Sequence, residues 1–139
     1  MYTYKAQVLK IVDGDTIDVD VELGFDVVLS NQRVRLYGID TPESRTRNLE
    51  EKFRGLLSKS HLQEKCPKGS KILLESRDRG KFGRILGILY HLDNKEIRKN
   101  DRMIEEGFAV PYSGGNKEEL EALHLANKQL LISRGLIEA

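Results

Sequence analysis

The sequence predicts an α+β fold in which a small closed β-barrel packs against helices. Apolar and polar residues alternate through roughly the first forty positions, which is typical of half-buried strands. An apolar spacing of three and four appears only after residue 48 and indicates that the first helix follows several strands. A chain of 139 residues without internal repeats or low-complexity linkers predicts a single domain, residues 1–139.

Turn signals divide the strand-rich part of the chain into short segments. Asp13-Gly14 ends a first strand over 4–12, and Ile17, Val19 and Val21 then alternate with polar residues. We expect these three side chains to face the barrel interior. Further strands are predicted over 25–29, 32–39, 71–76 and 84–92, with turns at 23–24, 30–31 and 93–94.

Three segments carry helix signals. The first, over 48–65, begins at the N-cap residue Asn48 and ends before Pro67. A short helix over 100–106 with Asn100 as its cap and a last helix over 116–134 with Asn116 as its cap follow. The stripes expected to face the core are Leu49, Phe53, Leu56, Leu57 and His61 or Leu62 in the first helix, and Leu120, Leu123, Ala126 or Asn127, Leu130 and Leu131 in the last.

These elements favour a five-stranded Greek-key barrel of the OB type with about three α-helices over a parallel sheet. Barrels of this type bind nucleotides at the rim and in the loops between strands. The polar residues that follow the ends of strands are therefore the candidates for a functional site.

Charge and composition limit the classes of function. The formal net charge is only +1, but residues 71–90 are locally basic and residues 117–139 are acidic, which permits phosphate contact without strong nonspecific adhesion. A single cysteine, Cys66, excludes an internal disulfide and fits a reducing compartment. No run reaches transmembrane length and the N-terminus lacks a signal-peptide pattern. We expect a cytoplasmic monomer with no membrane association and no obligate protein partner; a secreted, processed form is the alternative.

Two carboxylates predict a metal site at the barrel mouth. Asp15 is in phase with the inward-facing residues of the second strand, and Asp40 ends another strand. With the carbonyl of Thr41 they would begin a calcium site, which waters and a substrate phosphate must complete because calcium takes six to eight oxygens. Pro42 holds the chain extended and so fixes the direction of Asp40 and of Glu43, which can take a proton from a water.

Two arginines are the candidate phosphate clamps. Arg35 alternates with Val34 and Leu36, so it reaches the site only if the strand is distorted near Gly38. Arg84 follows the loop Lys81-Phe82-Gly83 and is the second candidate, while Arg33 is expected to be a solvated surface residue. Tyr112 has the chemistry to stack on a base. Taken singly, each motif also fits an ordinary turn or charged hairpin, and His61, His91 and His124 show no metal-binding spacing.

Taken in order, the motifs resemble the staphylococcal nuclease (thermonuclease) family. They are Asp13-Gly14-Asp15-Thr16, then Arg35 with Ile39-Asp40-Thr41-Pro42-Glu43, then Lys81-Phe82-Gly83-Arg84. The resemblance implies an OB-type barrel and calcium-dependent cleavage of DNA and RNA, preferably single-stranded, to products with 3′-phosphates. It implies that Asp15, Asp40 and Thr41 bind Ca²⁺, that Glu43 is the general base, that Arg35 and Arg84 bind the scissile phosphate, and that Lys81, Phe82 and Tyr112 contact the nucleotide.

The sequence also departs from the family's type member. Phe82 stands where the type member has tyrosine, its paired tyrosines are reduced to Tyr112, and the loop after Glu43 is shorter and more basic. These departures bear on substrate affinity and base preference. A catalytically weak nucleic-acid-binding module is the alternative, but such a module would be expected to have lost part of the catalytic set, and this chain keeps Asp15, Arg35, Asp40, Glu43 and Arg84. A protein–protein adaptor with an OB fold is a third interpretation, in which the motifs are coincidental.

Overall fold

The computed structural model describes residues 2–79, 83–112 and 117–137. Within these residues the chain forms a β-barrel, a short two-stranded sheet and α-helices. In chain order the elements are β1 (Tyr2–Asp13), β2 (Thr16–Gly24), β3 (Val27–Leu36), β4 (Ile39–Asp40), α1 (Leu49–Lys65), β5 (Lys71–Arg79), β6 (Ile85–His91), β7 (Asn94–Arg98), α2 (Lys99–Glu105), β8 (Val110–Pro111) and α3 (Lys117–Ser133).

Five strands close into the barrel. Their order is β3-β2-β1-β5-β6, and β3 then pairs with β6 to complete the ring. The closing pair is parallel and joins Val34–Leu36 to Ile85–Gly87, whereas the other barrel pairings are antiparallel. The prediction of a five-stranded OB-type barrel with about three helices is therefore confirmed. The strand β7 extends β6 outside the ring, and β4 pairs with β8.

Alternate residues of the barrel strands fill the interior, as the side-chain period of two requires. Ile17 and Val19 are fully buried and Val21 nearly so, which confirms the predicted inward face of β2. The other strands contribute to the same hydrophobic core in the same way. Their residues in it include Ala6, Val8, Val34, Leu36, Ile72, Leu74 and Leu89. None of the helices in these ranges is long and apolar enough to cross a membrane.

The predicted turn at 30–31 is wrong, because β3 continues through it. Its register with β2 shifts between the pairs Val19↔Gln32 and Val21↔Leu29, which marks a bulge. Asn31 has a left-handed backbone (φ 51°) and donates its N–H to Asp20 Oδ1 at 2.8 Å. Asparagine adopts the left-handed conformation readily in bulges and in turns, so the local sequence did not distinguish a bulge from a turn.

The helix α1 begins as predicted, since the side chain of Asn48 accepts the N–H of Glu51 at 3.2 Å. Its predicted apolar stripe is only partly right: Leu62 is buried and Leu57 half-buried, but Leu49, Phe53 and Leu56 are exposed. The helix also packs through Gly55 and Ser58, against the loop that bears Glu43 and the turn that bears Gly14. Its buried residues are Arg54, Gly55, Ser58 and Leu62.

Asn100 does not cap α2 as predicted. It is buried, where its Oδ1 accepts the N–H of Leu89 at 2.9 Å and its Nδ2 donates to the carbonyls of Tyr37 (2.9 Å) and Gly87 (3.1 Å). It therefore ties α2 to the closing strand and to the turn after β3. The predicted cap Asn116 lies outside the described residues.

The predicted stripe of the last helix is partly right. On α3, Leu131 is buried and Leu120 and Asn127 are half-buried, but Leu123 and Leu130 are exposed. The half-buried residues of this helix include Leu120, His124, Asn127 and Lys128.

Candidate active site

The turn between β1 and β2 is hydrogen-bonded to the end of β3. The N–H of Leu36 donates to the carbonyl of Asp15 at 2.8 Å, and Thr16 lies opposite Arg35 in the β2–β3 register. The Asp13-Gly14-Asp15 turn and the arginine are thereby fixed on neighbouring strands at one end of the barrel. This is the end from which β4 and the loop after it continue.

Arg35 is folded back by the turn that follows its strand. Gly38 adopts φ 80°, which reverses the chain and directs the carbonyls of Leu36 and Ile39 toward the guanidinium. Arg35 Nη1 donates to both carbonyls, at 3.0 and 2.9 Å. The distortion expected near Gly38 is thus a turn after the strand, whereas β3 itself stays regular around Arg35.

One nitrogen of Arg35 meets both predicted metal-binding carboxylates. Arg35 Nη2 lies 3.3 Å from Asp15 Oδ2 and 3.3 Å from Asp40 Oδ1, so the two oxygens are within twice that distance of each other. The Arg35 and Asp15 side chains are only 15% and 12% exposed. Solvent therefore screens these ion pairs much less than it would screen surface pairs.

Burial is the main influence on Asp15. Removal of the carboxyl from water raises its pKa, although the positive charge of Arg35 and a hydrogen bond from Thr16 Oγ1 at 2.9 Å act in the opposite direction. Keeping Asp15 ionised in the folded chain therefore costs free energy of folding. Carboxylates that destabilise the fold in this way are typical of functional sites, where they bind a ligand.

Asp40 has a second partner that the sequence analysis did not identify. His124 Nε2 of α3 lies 2.8 Å from Asp40 Oδ2, and the His124 side chain is 15% exposed. The sequence does contain an indication of this contact. Leu120, His124, Asn127 and Leu131 have a heptad-like spacing, which places the histidine and the asparagine on the inward face of α3.

The oxygens available at this end of the barrel fit a hard cation in part. Asp15 and Asp40 supply carboxylates, and Thr41 Oγ1 is a buried hydroxyl oxygen that has no hydrogen-bond partner. The described ranges contain no group of three or more His, Cys, Asp or Glu side chains able to hold a metal. An oxygen-only set of two carboxylates and Thr41 suits Ca²⁺ as an open site that waters and a substrate complete.

Glu43 is held by the close approach of α1. A Cβ atom built on Gly55 would lie 2.6 Å from the carbonyl carbon and oxygen of Glu43, so only glycine allows this contact. Similarly, a Cβ on Gly14 would lie 2.7 Å from Ser58 Cβ. The small residues of α1 therefore support both the loop that bears Glu43 and the turn that bears Asp15.

The Glu43 carboxyl has a raised pKa. Partial burial of the carboxyl group is the largest cause, although Glu43 as a whole residue is exposed. The negative charges of Asp13, Asp15, Asp40 and Glu51 act in the same direction. A carboxyl group shifted toward neutral pH is better matched to proton transfer than an ordinary glutamate.

Glu43 and Arg84 line one cleft of about 640 Å³. Arg33 and Arg45 also line it, and Arg33 is exposed and engaged with Asp18 at 2.9 and 3.2 Å, in accord with the surface role expected of it. Further lining residues are Val12, Asp13, Thr16, Asn31 and Gly83. The structure thus brings the candidate base and the second candidate clamp to one opening beside the Asp15 turn.

The predicted nucleotide contacts are only partly described. Lys81 and Phe82 lie outside the described residues. Tyr112 is 39% exposed, and its N–H donates to the carbonyl of Gly38 at 2.8 Å, which places it directly after β8 and beside the turn that orients Arg35.

Comparison with known proteins indicates a family. A family model described as "Staphylococcal nuclease homologue" matches residues 33–130. The chain is 28% identical over 131 residues to the uncharacterized protein MJ1439 of Methanocaldococcus jannaschii, covering 78% of this chain and 59% of that protein. It is 29% identical over 119 residues to the protein ParB of Escherichia coli, covering 78% and 57%. The chain therefore spans less than two thirds of the length of these relatives.

Proposed function

Because the chain belongs to the staphylococcal nuclease homologue family, we propose that it is a calcium-dependent phosphodiesterase. Its substrates would be DNA and RNA, preferably single-stranded, and its products would carry 3′-phosphates. The observation that best supports the proposal is the contact of one Arg35 nitrogen with both the Asp15 and the Asp40 carboxylates. This contact concentrates two negative charges and one positive charge where a metal ion and a phosphate would have to meet.

The cation would be held by Asp15, Asp40 and Thr41. The expected ligand atom of Thr41 is its carbonyl oxygen. Its buried Oγ1, which has no hydrogen-bond partner, is a second oxygen that would be available there, and a buried polar atom of this kind normally costs about 1–3 kcal/mol and so calls for an explanation. When bound, Ca²⁺ supplies Lewis-acid polarisation of the phosphate and neutralises its charge.

The arginines would bind the phosphate. Arg35 Nη1 is anchored by two backbone carbonyls, which leaves Nη2 as the group that exchanges a carboxylate for a phosphate oxygen. Arg84 lines the adjoining cleft and would approach the phosphate from the β6 side. Positive groups fixed in advance around the phosphate stabilise the charge that develops on it in the transition state.

Glu43 would accept a proton from the attacking water. Its position in the same cleft as Arg84 and its raised pKa support this role. Lys81, Phe82 and Tyr112 would contact the nucleotide, with the two aromatic rings stacking on bases. Base stacking tolerates any sequence, which suits a nuclease without strict sequence preference.

A cleavage assay tests the proposal. The purified chain is incubated with end-labelled single-stranded DNA and RNA in calcium, in magnesium or in a chelator, and the product ends are mapped. We expect cleavage in calcium only and 3′-phosphate ends. Absence of calcium-dependent cleavage at high protein concentration would contradict the function.

A catalytically weak nucleic-acid-binding module is the second candidate. The observation that favours it is that the described residues contain no group of three or more His, Cys, Asp or Glu side chains able to hold a metal ion. This candidate predicts that oligonucleotides bind equally well in calcium and in chelator and remain intact.

A further inference from the structure

The two oxygens of the Asp40 carboxylate have different partners from different parts of the chain. Oδ1 faces Arg35 Nη2 at 3.3 Å, and Oδ2 faces His124 Nε2 at 2.8 Å. Arg35 comes from the barrel, whereas His124 comes from α3, far along the sequence. The carboxylate is thus fixed at both ends rather than free to rotate.

The direction of the hydrogen bond follows from chemistry. An ionised carboxylate only accepts hydrogen bonds, so Nε2 of His124 must carry the hydrogen. The His124 ring is 15% exposed and Asp40 is 28% exposed, which makes the contact substantially stronger than a solvated surface pair.

The position of His124 depends on how α3 docks. Asp40 lies on β4, where it pairs with Val110 of β8, and the amide of Asn127 on α3 donates to the carbonyl of Ala109 at 3.0 Å. Asn127 and His124 are three positions apart and so lie on one face of the helix. Asn127 therefore secures α3 beside β8, while His124 contacts the carboxylate itself.

We propose that His124 is a positioning residue that orients Asp40 for the divalent cation; this inference rests on the proposed function. With Oδ2 held by the imidazole, Oδ1 is the oxygen of Asp40 that would face the cation, and Arg35 Nη2, which now lies 3.3 Å from it, would have to share or release it. Partners of this kind, which hold a ligand without touching the metal, typically account for a 10–100-fold change in metal affinity or activity. The helix α3 is then part of the metal site without supplying a ligand.

The test compares calcium binding by three variants and the wild-type chain in the absence of nucleic acid. His124→Ala removes the contact. His124→Gln restores a donor at about the reach of Nε2, and Asn127→Ala loosens the same face of α3 without touching Asp40. Calcium affinity is measured by titration calorimetry, and folding by circular dichroism and thermal unfolding.

We expect His124→Ala to weaken calcium binding by about 10–100-fold and His124→Gln to recover most of it. Asn127→Ala should lower thermal stability but weaken calcium binding much less than His124→Ala does, because the imidazole that contacts Asp40 is kept. Unchanged binding in His124→Ala would overturn the inference while leaving the proposed function intact. So would an equal loss of affinity in Asn127→Ala, since the effect would then be general loosening of α3. If the wild-type chain binds no calcium and cleaves no substrate, the proposed function and the inference are overturned together.

Discussion

Gly55 of α1 lies so close to Glu43 that a Cβ atom at position 55 would fall 2.6 Å from the carbonyl carbon and oxygen of Glu43. Both of these atoms belong to the backbone, so the clash cannot be relieved by rotating a side chain. The helix can therefore bear alanine at this position only if it moves away from the loop that carries the candidate base.

The first prediction concerns Gly55→Ala. Alanine gains about 1 kcal/mol of helix propensity over glycine, but forcing a methyl against backbone costs about 1–3 kcal/mol and sometimes more. We expect a net loss of stability together with a lower kcat, measured by urea unfolding and by the cleavage assay. Ser60→Ala, at an exposed position of the same helix, is the control and should leave both quantities unchanged. A Gly55→Ala variant with higher stability and full activity would disprove the support that α1 gives to Glu43.

A second prediction concerns proton transfer by Glu43. The amide of Glu43→Gln has nearly the same shape but cannot take a proton, so kcat should fall by about 10²–10⁴-fold. The dissociation constant of a nucleotide should change little. Because the pKa of Glu43 is raised, the wild-type rate should fall with decreasing pH from a midpoint above the 4.5 of an ordinary glutamate. Near wild-type turnover in Glu43→Gln would refute its assignment as the base.

The third prediction concerns the buried charge of Asp15. Its pKa is raised by burial, so the folded chain binds this proton more tightly than the unfolded chain, and stability falls as pH rises from 3.8 through the raised value. At neutral pH Asp15 is ionised in both the folded and the unfolded chain, so the full free-energy cost of burying its charge is present. In chelator at pH 7, Asp15→Asn should therefore melt at or above the wild-type temperature, while at low pH the two should converge. A clearly lower melting temperature at pH 7 would mean that the ion pair with Arg35 outweighs burial.

A fourth prediction concerns Asn100, which joins α2, β6 and the turn after β3. Asn100→Ala leaves the Leu89 N–H without its partner, and each such buried group costs about 1–3 kcal/mol. We expect a loss of at least about 2 kcal/mol in the free energy of unfolding. Asn94→Ala, which removes the exposed hydrogen bond to the Glu96 N–H, should cost far less. Equal losses in the two variants would argue against a special role for the buried amide.

The fifth prediction concerns Arg84. If its guanidinium stabilises charge on the phosphate, Arg84→Ala should lower kcat by about 10²–10³-fold, the usual effect of removing one such donor. Arg47→Ala, an exposed arginine in the loop before α1, is the matched control for loss of a positive charge and should change kcat little. Single-turnover kinetics separate the chemical step from binding. Comparable effects of the two substitutions would indicate general electrostatic attraction instead.

Much of the barrel was predictable because its pattern is local. The alternation of Ile17, Val19 and Val21 and the cap at Asn48 depend on near neighbours, and both are as predicted. The burial pattern of α1 was not predictable in this way. Its exposed Leu49 and Phe53 match a helical stripe, but the helix is placed by the close approach of Gly55 to another loop, which no periodicity encodes.

In the candidate site, too, local features were predictable and long-range contacts were not. The roles of Arg35 and Asp40 were suggested by residue type, and the sequence pointed to a distortion near Gly38. The contact of His124 with Asp40 was missed because it depends on how α3 docks on β8, a long-range arrangement that helix periodicity narrows to one face and does not assign to a partner.

The parallel pairing of β3 with β6, which closes the barrel, bears on the stage of folding at which the candidate site is complete. The hairpins β1–β2, β2–β3 and β5–β6 join neighbours in sequence, whereas the β1–β5 and β3–β6 pairs join segments far apart and must overcome a larger loop-closure entropy. Arg35 lies within the β3–β6 pair, opposite Leu86. Arg35 contacts Asp15 and Asp40 within residues 15–40, whereas Arg84 directly precedes β6. We therefore expect Arg84 to join the other candidate residues late in folding, after β6 has left the ribosome. A nascent or partly unfolded chain would carry every candidate residue of a nuclease and cleave nothing.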